Sequence, residues 1–303
     1  MKPNELIAKI ENGELDKSFK KIYVSDSAVE EQKPRYIRTI KEFINLFGDD
    51  RDVFVLSAPG RTEVCGNHTD HNNGKVLAAS INLDAIAIAA KRDDMKINEK
   101  SEGHGLNEVD ISTLSPDEAE YGRSSSMIKG VAAGLKEKGY EIGGFDACTT
   151  SDVMGGSGLS SSAAFEVLIA TVINHLYNDG KIDAVTVAKA AQFSENVYFG
   201  KPSGLLDQMA SSVGTFVTID FKDTANPVIK KVDFDFAKSG YSLCIVDTHG
   251  NHSDLTDDYA AVRGEMEAVA KAMGKNVLRE VEYEEFFQSL DVLKEKVNDR
   301  ALL

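Results

Sequence analysis

Glycines and serines gather in one stretch, Gly155-Gly156-Ser157-Gly158-Leu159-Ser160-Ser161-Ser162, directly ahead of an apolar run from Ala163 to Leu176. Glycine permits tight turns and lets a ligand approach the main chain. Serines at a helix start supply caps and hydroxyl donors. The first amides of a helix have no partner inside it and favour an anion. A loop of this composition feeding a helix reads as a phosphate cradle; the competing reading is a plain turn or linker. No Gly-Lys-Ser/Thr closes the stretch, and Ser161 stands where a dinucleotide fingerprint needs its third glycine, so neither of those motifs is present.

A second stretch, Ala58 to Gly74, crowds Arg61, Glu63, Asn67, His68, Asp70 and His71 into a few positions. Such a mixture of carboxylate, imidazole and amide groups suits a polyhydroxy ligand such as a sugar. Two other readings compete. Cys65, His68, Asp70 and His71 could ligate a metal, although their spacing fits no standard zinc pattern. The stretch could also be a solvated Asx-rich turn. Further on, Asp207 is a lone acid in the small, apolar segment Gly204 to Ala210, and Glu195 precedes it by twelve residues. Two carboxylates near a phosphate loop suit one base and one magnesium ligand; an exposed helical carboxylate is the plainer account of Asp207.

These groups need elements to carry them. Val53 to Leu56 reads as a strand that Ala58-Pro59-Gly60 breaks, Val76 to Ala90 as strands beneath the polar loop, Met95 to Ile111 as a hairpin, and Phe145 to Thr149 as a short strand leading into the glycine-serine loop. Helical spacing marks Met1 to Gly48, with Ile7, Ile10, Phe19, Tyr23, Ile40, Phe43 and Leu46 as inner faces, then Ser124 to Lys138 and Ile182 to Phe199. Ser203 is placed to cap a further helix running through Ser212. Thr215 to Asp220, Val228 to Val232 and Ser242 to Asp247 read as strands, with helices over Leu255 to Met273 and Tyr283 to Leu303. Strands followed by packed helices predict a two-layer α+β architecture, a mixed sheet packed on helices.

The composition narrows the partners. The chain has 303 residues, 42% hydrophobic and 27% charged, enough for one large or two smaller cores. Lys plus Arg is 34 against 49 Asp plus Glu, a formal charge of −15, which argues against nucleic acid and anionic membranes as partners. An anionic ligand therefore needs a local site of amides, arginine or metal. Cys65, Cys148 and Cys244 form no CxxC pair, no signal peptide is evident, and no apolar run is long enough to span a membrane; a reducing cytoplasm is the expected address.

Three blocks together resemble the galactokinase branch of the GHMP small-molecule kinase superfamily. Pro59-Gly60-Arg61 through Gly66-Asn67-His68-Thr69-Asp70 is similar to the family signature PGRxNLIGEHTDY. Gly156-Ser157-Gly158-Leu159-Ser160-Ser161-Ser162-Ala163 matches GxGLSSSA, and Glu195 through Pro202-Ser203-Gly204-Leu205-Leu206-Asp207-Gln208 resembles E…PCGIMDQ. A weaker block, His252-Ser253 to Asp258-Tyr259 and Arg263, resembles HSLASSEYxxRR. Several blocks in family order are far more specific than any one of them.

The resemblance implies a GHMP-kinase domain over residues 1–220 and an incomplete C-terminal domain over 221–303. It implies ATP and Mg²⁺, a sugar substrate, and transfer of a phosphoryl group to the anomeric hydroxyl of galactose. Asp207 corresponds to the base and Arg61 to the cation beside it. Ser161 and Glu195 correspond to magnesium ligands. His68, Asp70, Tyr259 and the backbone near Gly204 correspond to sugar contacts, as does Asn67. Residues 155–162 correspond to the nucleotide loop.

The departures are specific. Asn67 replaces a glutamate that meets the sugar, losing a charge-assisted acceptor and leaving a related sugar as the alternative substrate. His71 replaces a tyrosine, Met154 a proline and Ser203 a cysteine. The family's third motif, GGGFGG, does not occur before Leu303, so the expectation is a shortened gene product or a degenerate relative, with a non-catalytic sugar and nucleotide binder as the rival. Mevalonate- and homoserine-type relatives lack the Gly66-to-Asp70 block, and a zinc hydrolase built on Cys65, His68 and His71 is the remaining rival.

Overall fold

The computed structural model describes residues 1–234, 236–241, 243–246 and 256–303, without the side chains of residues 236, 237 and 256–260. By packing, the chain forms two compact units, neither contiguous in sequence. The first comprises Met1–Arg61, Ser80–Gly155 and Leu159–Gly214, and the second Thr62–Ala79, Gly156–Gly158 and Thr215–Leu303.

The first unit opens with α1 (Pro3–Glu11), α2 (Asp16–Tyr23) and α3 (Asp26–Phe47). The expected inner-face residues Ile10, Phe19, Tyr23, Ile40 and Phe43 are buried, whereas Leu46 is exposed near the end of α3. Strand β1 (Phe54–Cys65) is continuous. The break expected at Ala58-Pro59-Gly60 is absent, because β1 pairs with β2 alone among the described strands and proline, lacking an N–H, is tolerated on an edge. Strand β2 (Lys75–Lys91) is one long element running through both units. The expected hairpin forms from β3 (Lys96–Ser101) and β4 (Leu106–Asp110); β3 then pairs in parallel with β5 (Phe145–Ser151), which pairs antiparallel with residues 85–91 of β2. The sheet is thus mixed, as expected.

Helices α4 (Ser124–Glu137), α5 (Ser161–Tyr177) and α6 (Ala184–Phe193) cover one face of this sheet. The run Ala85 to Ala90 is buried throughout, and strand alternation divides it. Ala85, Ala87 and Ala89 face the core with α4 to α6, while Ile86, Ile88 and Ala90 pack with Tyr36, Ile40 and Phe43 of α3. Helices α1 to α3 therefore add a layer on the opposite face. That accounts for β2 reading as a continuous apolar run. After α6 come a π-turn (Ser194–Tyr198) and α7 (Leu206–Val213). Asp183, not Ile182, opens α6, its carboxylate accepting from the Val185 and Thr186 amides.

In the second unit the first residues of β2, Lys75 to Ala79, pair with β6 (Phe216–Asp220), which pairs with β7 (Val228–Val232). The strand expected over Ser242–Asp247 falls partly outside the described residues, and residues 243–246 lie in no strand. The short α8 (Phe236–Ser239) and then α9 (Thr256–Ala272), α10 (Tyr283–Gln288), α11 (Leu290–Leu293) and α12 (Asp299–Leu302) complete the unit. No helix among the described residues is long and apolar enough to cross a membrane.

Candidate active site

Arg61 is delivered by β1, and its backbone N–H donates to the Leu159 carbonyl (3.0 Å), so the strand is stitched to the end of the glycine-serine loop. Its side chain meets Asp207 as a fork, Nε to Oδ1 at 2.6 Å and Nη2 to Oδ2 at 2.7 Å. This bidentate geometry is the strong form of a charge-assisted pair. Ser160 Oγ donates to Asp207 Oδ2 at 2.7 Å. The Ser160 backbone is left-handed (φ 61, ψ 59), a conformation that non-glycine residues adopt sparingly, and it stands immediately before α5. Asp207 occupies the first turn of α7, where a carboxylate suits the helix dipole. One turn on, Ser211 Oγ donates to the Pro59 carbonyl (2.7 Å) and fastens α7 to β1. Both members of the pair are thus held by neighbouring backbone.

Glu195 lies in the π-turn, an irregularity frequent at functional sites. Ser194 anchors the turn, its Oγ donating to the Met127 carbonyl of α4 at 2.7 Å. A Cβ on Gly130 would come within 2.7 Å of Ser194 Oγ, so α4 admits the turn only with glycine there. The Glu195 carboxylate is buried and accepts from Ser162 Oγ (3.2 Å) and Lys201 Nζ (3.0 Å) on Oε1, and from Gln208 Nε2 (2.8 Å) on Oε2. The hydroxyl that reaches Glu195 belongs to Ser162, one residue beyond the Ser161 implied by the resemblance.

Ser203 does not cap α7; its N–H and hydroxyl go to Asn196 Oδ1, and Leu205 is the residue flanking the helix. The Ser203 carbonyl accepts from Gln192 Nε2 (3.1 Å), which fixes the backbone beside Gly204.

The second unit holds the remaining positions. Gly156 and Gly158 both have φ +74, a left-handed backbone that glycine adopts without cost, flanking Ser157. In the polar loop, Asn67 and His68 are both left-handed (φ 51 and 54). Asn67 is exposed, and the His68 N–H donates to Glu63 Oε1 (2.8 Å). His68 Nδ1 lies 3.2 Å from Oδ1 of the buried Asp70. His71 Nδ1 stands 4.0 Å from the same Asp70 oxygen, while His71 Nε2 and Asn72 Nδ2 meet the Met266 sulfur of α9 (3.3 and 3.4 Å), and Asn72 Oδ1 accepts from the Leu278 N–H (3.2 Å). Among the described residues no three His, Cys, Asp or Glu side chains cluster so as to hold a metal ion, which counts against the Cys65, His68 and His71 reading. The Tyr259 side chain and residues His252 and Ser253 lie outside the described set.

Residues 41–91 match the galactokinase galactose-binding signature, and residues 126–215 match the GHMP kinases N-terminal domain. The galactokinase of Streptomyces coelicolor is 33% identical over 265 residues, covering 87% of this chain and 67% of that protein. The chain belongs to the galactokinase family. The galactokinase of Clostridium tetani is 32% identical over 272 residues, 87% of this chain and 66% of its own, so the chain spans about two thirds of the length of these relatives. The crystal structure of Lactococcus lactis galactokinase complexed with galactose superposes with a TM-score of 0.70 at 27% identity, over 86% of this chain and 68% of that one. The mevalonate kinase of Methanococcus jannaschii shares the fold alone, with a TM-score of 0.54 at 14% identity over 83% of this chain and 73% of its own. The family signature covers the Arg61 and Asp70 stretch, and the GHMP match ends just beyond Asp207, so both partners of the ion pair lie within matched segments.

Sequence reasoning assigned no role to Glu166, Gln208 or Lys201. Lys201 had no signal beyond its place before Pro202. Glu166 did carry one: it is the lone acid in an otherwise apolar α5, and it is fully buried. Burial, and then repulsion from Glu195, push its carboxyl well above the usual carboxylate range.

Proposed function

We propose that this chain phosphorylates the anomeric hydroxyl of galactose with ATP. The observation that carries this reading is the convergence of Arg61, Ser160 and Asp207 at the mouth of α5, in a chain that matches both family segments. Asp207 takes the hydroxyl proton as that oxygen attacks the γ-phosphorus, whose bond to the bridging oxygen breaks and releases ADP. Arg61 holds the carboxylate in place and offsets charge on the transferred group. Phosphoryl transfer depends mainly on such positioning and charge neutralisation. Gly155 to Ser162, with the free amides at the start of α5, cradle the phosphates. In the second unit Asn67, His68 and Asp70 offer donors and acceptors to sugar hydroxyls, joined by Gly204 and Tyr259 according to the resemblance.

The Glu195 carboxylate and Ser162 hydroxyl fit magnesium, which takes one or two protein oxygens and leaves its other positions to water and phosphate. The cationic Lys201 against Glu195 is consistent with a seat that favours positive charge. When bound, the metal neutralises phosphate charge. Free cysteines at 65, 148 and 244 accord with a cytoplasmic address.

A coupled assay with the full chain, galactose and magnesium-ATP tests the reading. Galactose-dependent ADP release is expected; calorimetric binding of both ligands with no ADP release would make the chain a binder instead. A panel of hexoses in the same assay decides whether Asn67 shifts the preferred sugar.

A further inference from the structure

Helix α5 is buried almost all round, and Glu166 is set in it at zero exposure. Its Oε2 accepts from Gln208 Nε2 at 3.2 Å, and the same nitrogen donates to Glu195 Oε2 at 2.8 Å. One amide therefore stands between two carboxyl groups. Two atoms of this trio are buried without a partner, Glu166 Oε1 and Gln208 Oε1. With Glu166 ionised both are acceptors and neither can serve the other. With a proton on Glu166 Oε1, one becomes a donor and the other its natural acceptor. An ionised carboxylate sealed from water is costly unless a cation pairs with it. Glu166 has no ion pair among the described residues, and the cationic Lys201 is paired with Glu195.

We propose that Glu166 is a neutral positioning residue that forms a cyclic acid–amide pair with Gln208, O–H to C=O and N–H to C=O, leaving the second amide N–H to set the Glu195 carboxylate. Without that pair the amide can turn over and bring its carbonyl against Glu195, a repulsive contact. Partners one step removed from a metal ligand typically change affinity by about 10- to 100-fold when lost. The effect on magnesium-ATP rests on the function proposed above for Glu195; the acid–amide pair itself does not.

Two measurements on the full chain test this. The infrared spectrum of the wild type minus that of Glu166→Gln, at neutral pH, is expected to show the carbonyl band of a protonated carboxyl; its absence overturns the pair. Calorimetry with ATP, in excess magnesium and again with a chelator, tests the positioning. Glu166→Gln rebuilds the pair as amide–amide and is expected to bind magnesium-ATP like the wild type. Glu166→Leu is expected to bind it about tenfold more weakly, with metal-free ATP unaffected. Equal losses in the two variants, or no loss in a folded Glu166→Leu, overturn the positioning role. Should Glu166→Leu fail to fold, Gln208→Met must show the same magnesium-dependent loss, and unchanged binding there overturns it equally. A wild-type chain that binds no magnesium-ATP removes the functional reading, while the infrared band still decides the pair.

Discussion

Two arginine–aspartate pairs in the first unit use the same chemistry in different surroundings. Arg35 and Asp84 join α3 to β2 with side chains 5% and 1% exposed, whereas Arg61 and Asp207 are 10% and 23% exposed. In the sealed pair the neighbouring donors converge on Asp84, while Arg35 Nε is buried without a hydrogen-bond partner. Asp84 accepts from Arg35 Nη1 (2.7 Å), from the Tyr23 hydroxyl (2.8 Å) and from Ser57 Oγ (2.5 Å). Arg35 Nη2 also donates to the Asp84 and Thr150 carbonyls (2.7 and 3.0 Å). Burial, and then the Asp84 charge, push both the Tyr23 and Tyr36 hydroxyls well above the usual tyrosine range, so they serve only as neutral hydrogen-bonding groups. The Asp152 N–H donates to the Asp84 carbonyl (3.0 Å), so this joint secures the root of the glycine-serine loop, and the Arg61 pair secures its far end. Solvent access separates the two: Asp207 is open to water and Asp84 is not, as the base proposed for one and the fastening role of the other require.

The comparison breaks most readily at its ends. Asp207→Asn is expected to reduce galactose phosphorylation by about 10³-fold, the scale of a lost general base, with a smaller fall in stability than the matching change at Asp84. Asp84→Asn is expected to show the reverse. Removing Asp84 leaves the buried Arg35 only the part-exposed Asp152, 3.0 Å from its Nη1, and a loss at the lower end for a broken buried pair, about 3 kcal/mol, is expected in urea denaturation, while the rate per folded molecule stays near wild type. The double change Arg35→Met with Asp84→Leu should recover part of that loss, since both buried charges go together and the one left without its arginine, Asp152, is part-exposed and still accepts from Gln32. A double variant as damaged as the single one would make the stranded-charge account wrong.

The two pairs also differ in how far the sequence reveals them. Arg61 and Asp207 stand 146 positions apart, yet each sits inside a recognisable block, and those blocks located the pair. Arg35 lies in an ordinary amphipathic helix and Asp84 in an apolar strand, and no local pattern says that two buried charges 49 positions apart will meet. The elements followed the same logic. Periodicity marked the helices and the hairpin, because local burial writes it into the chain. It did not foresee β1 passing through Pro59, which depends on β1 having a neighbour on one side only, or Ser203 turning to Asn196 instead of capping α7. That the Ser162 hydroxyl is the one meeting Glu195 depends on how the chain enters α5 from a left-handed Ser160, which composition does not encode.

A smaller test bears on the Arg61–Asp207 pair alone. A methyl group on Gly60 would come within 3.0 Å of the Leu159 carbonyl and of Val153 Cγ1. That carbonyl accepts the Arg61 N–H, so Gly60→Ala pushes on the stitch between β1 and the loop. Overpacking of this kind typically costs about 1–3 kcal/mol. A stability loss of about 2 kcal/mol is expected, with a reduced rate and an Asp84 joint left intact, the latter read as unchanged hydrogen-exchange protection in α3 and β2. Wild-type stability would show that the loop accommodates the methyl group by shifting.

Glu166 extends the comparison to a buried acid with no arginine. Asp84 and Asp207 are each balanced by a guanidinium; Glu166, buried beside Glu195, takes a proton instead, and its carboxyl is held well above the ordinary 4.5. The native chain then keeps a proton that the unfolded chain releases once the pH passes about 4.5. Native protein binding more protons means stability falls as pH rises through that window, with a slope for one group of at most about 1.4 kcal/mol per pH unit. Glu166→Gln has no such proton to hold. Its stability relative to wild type is therefore expected to improve steadily from about pH 5 upward, while the two curves run parallel below 4.5. Parallel curves across the whole range would mean that Glu166 is ionised in the folded chain, and the contrast between acids balanced by arginine and an acid balanced by its own proton would fail.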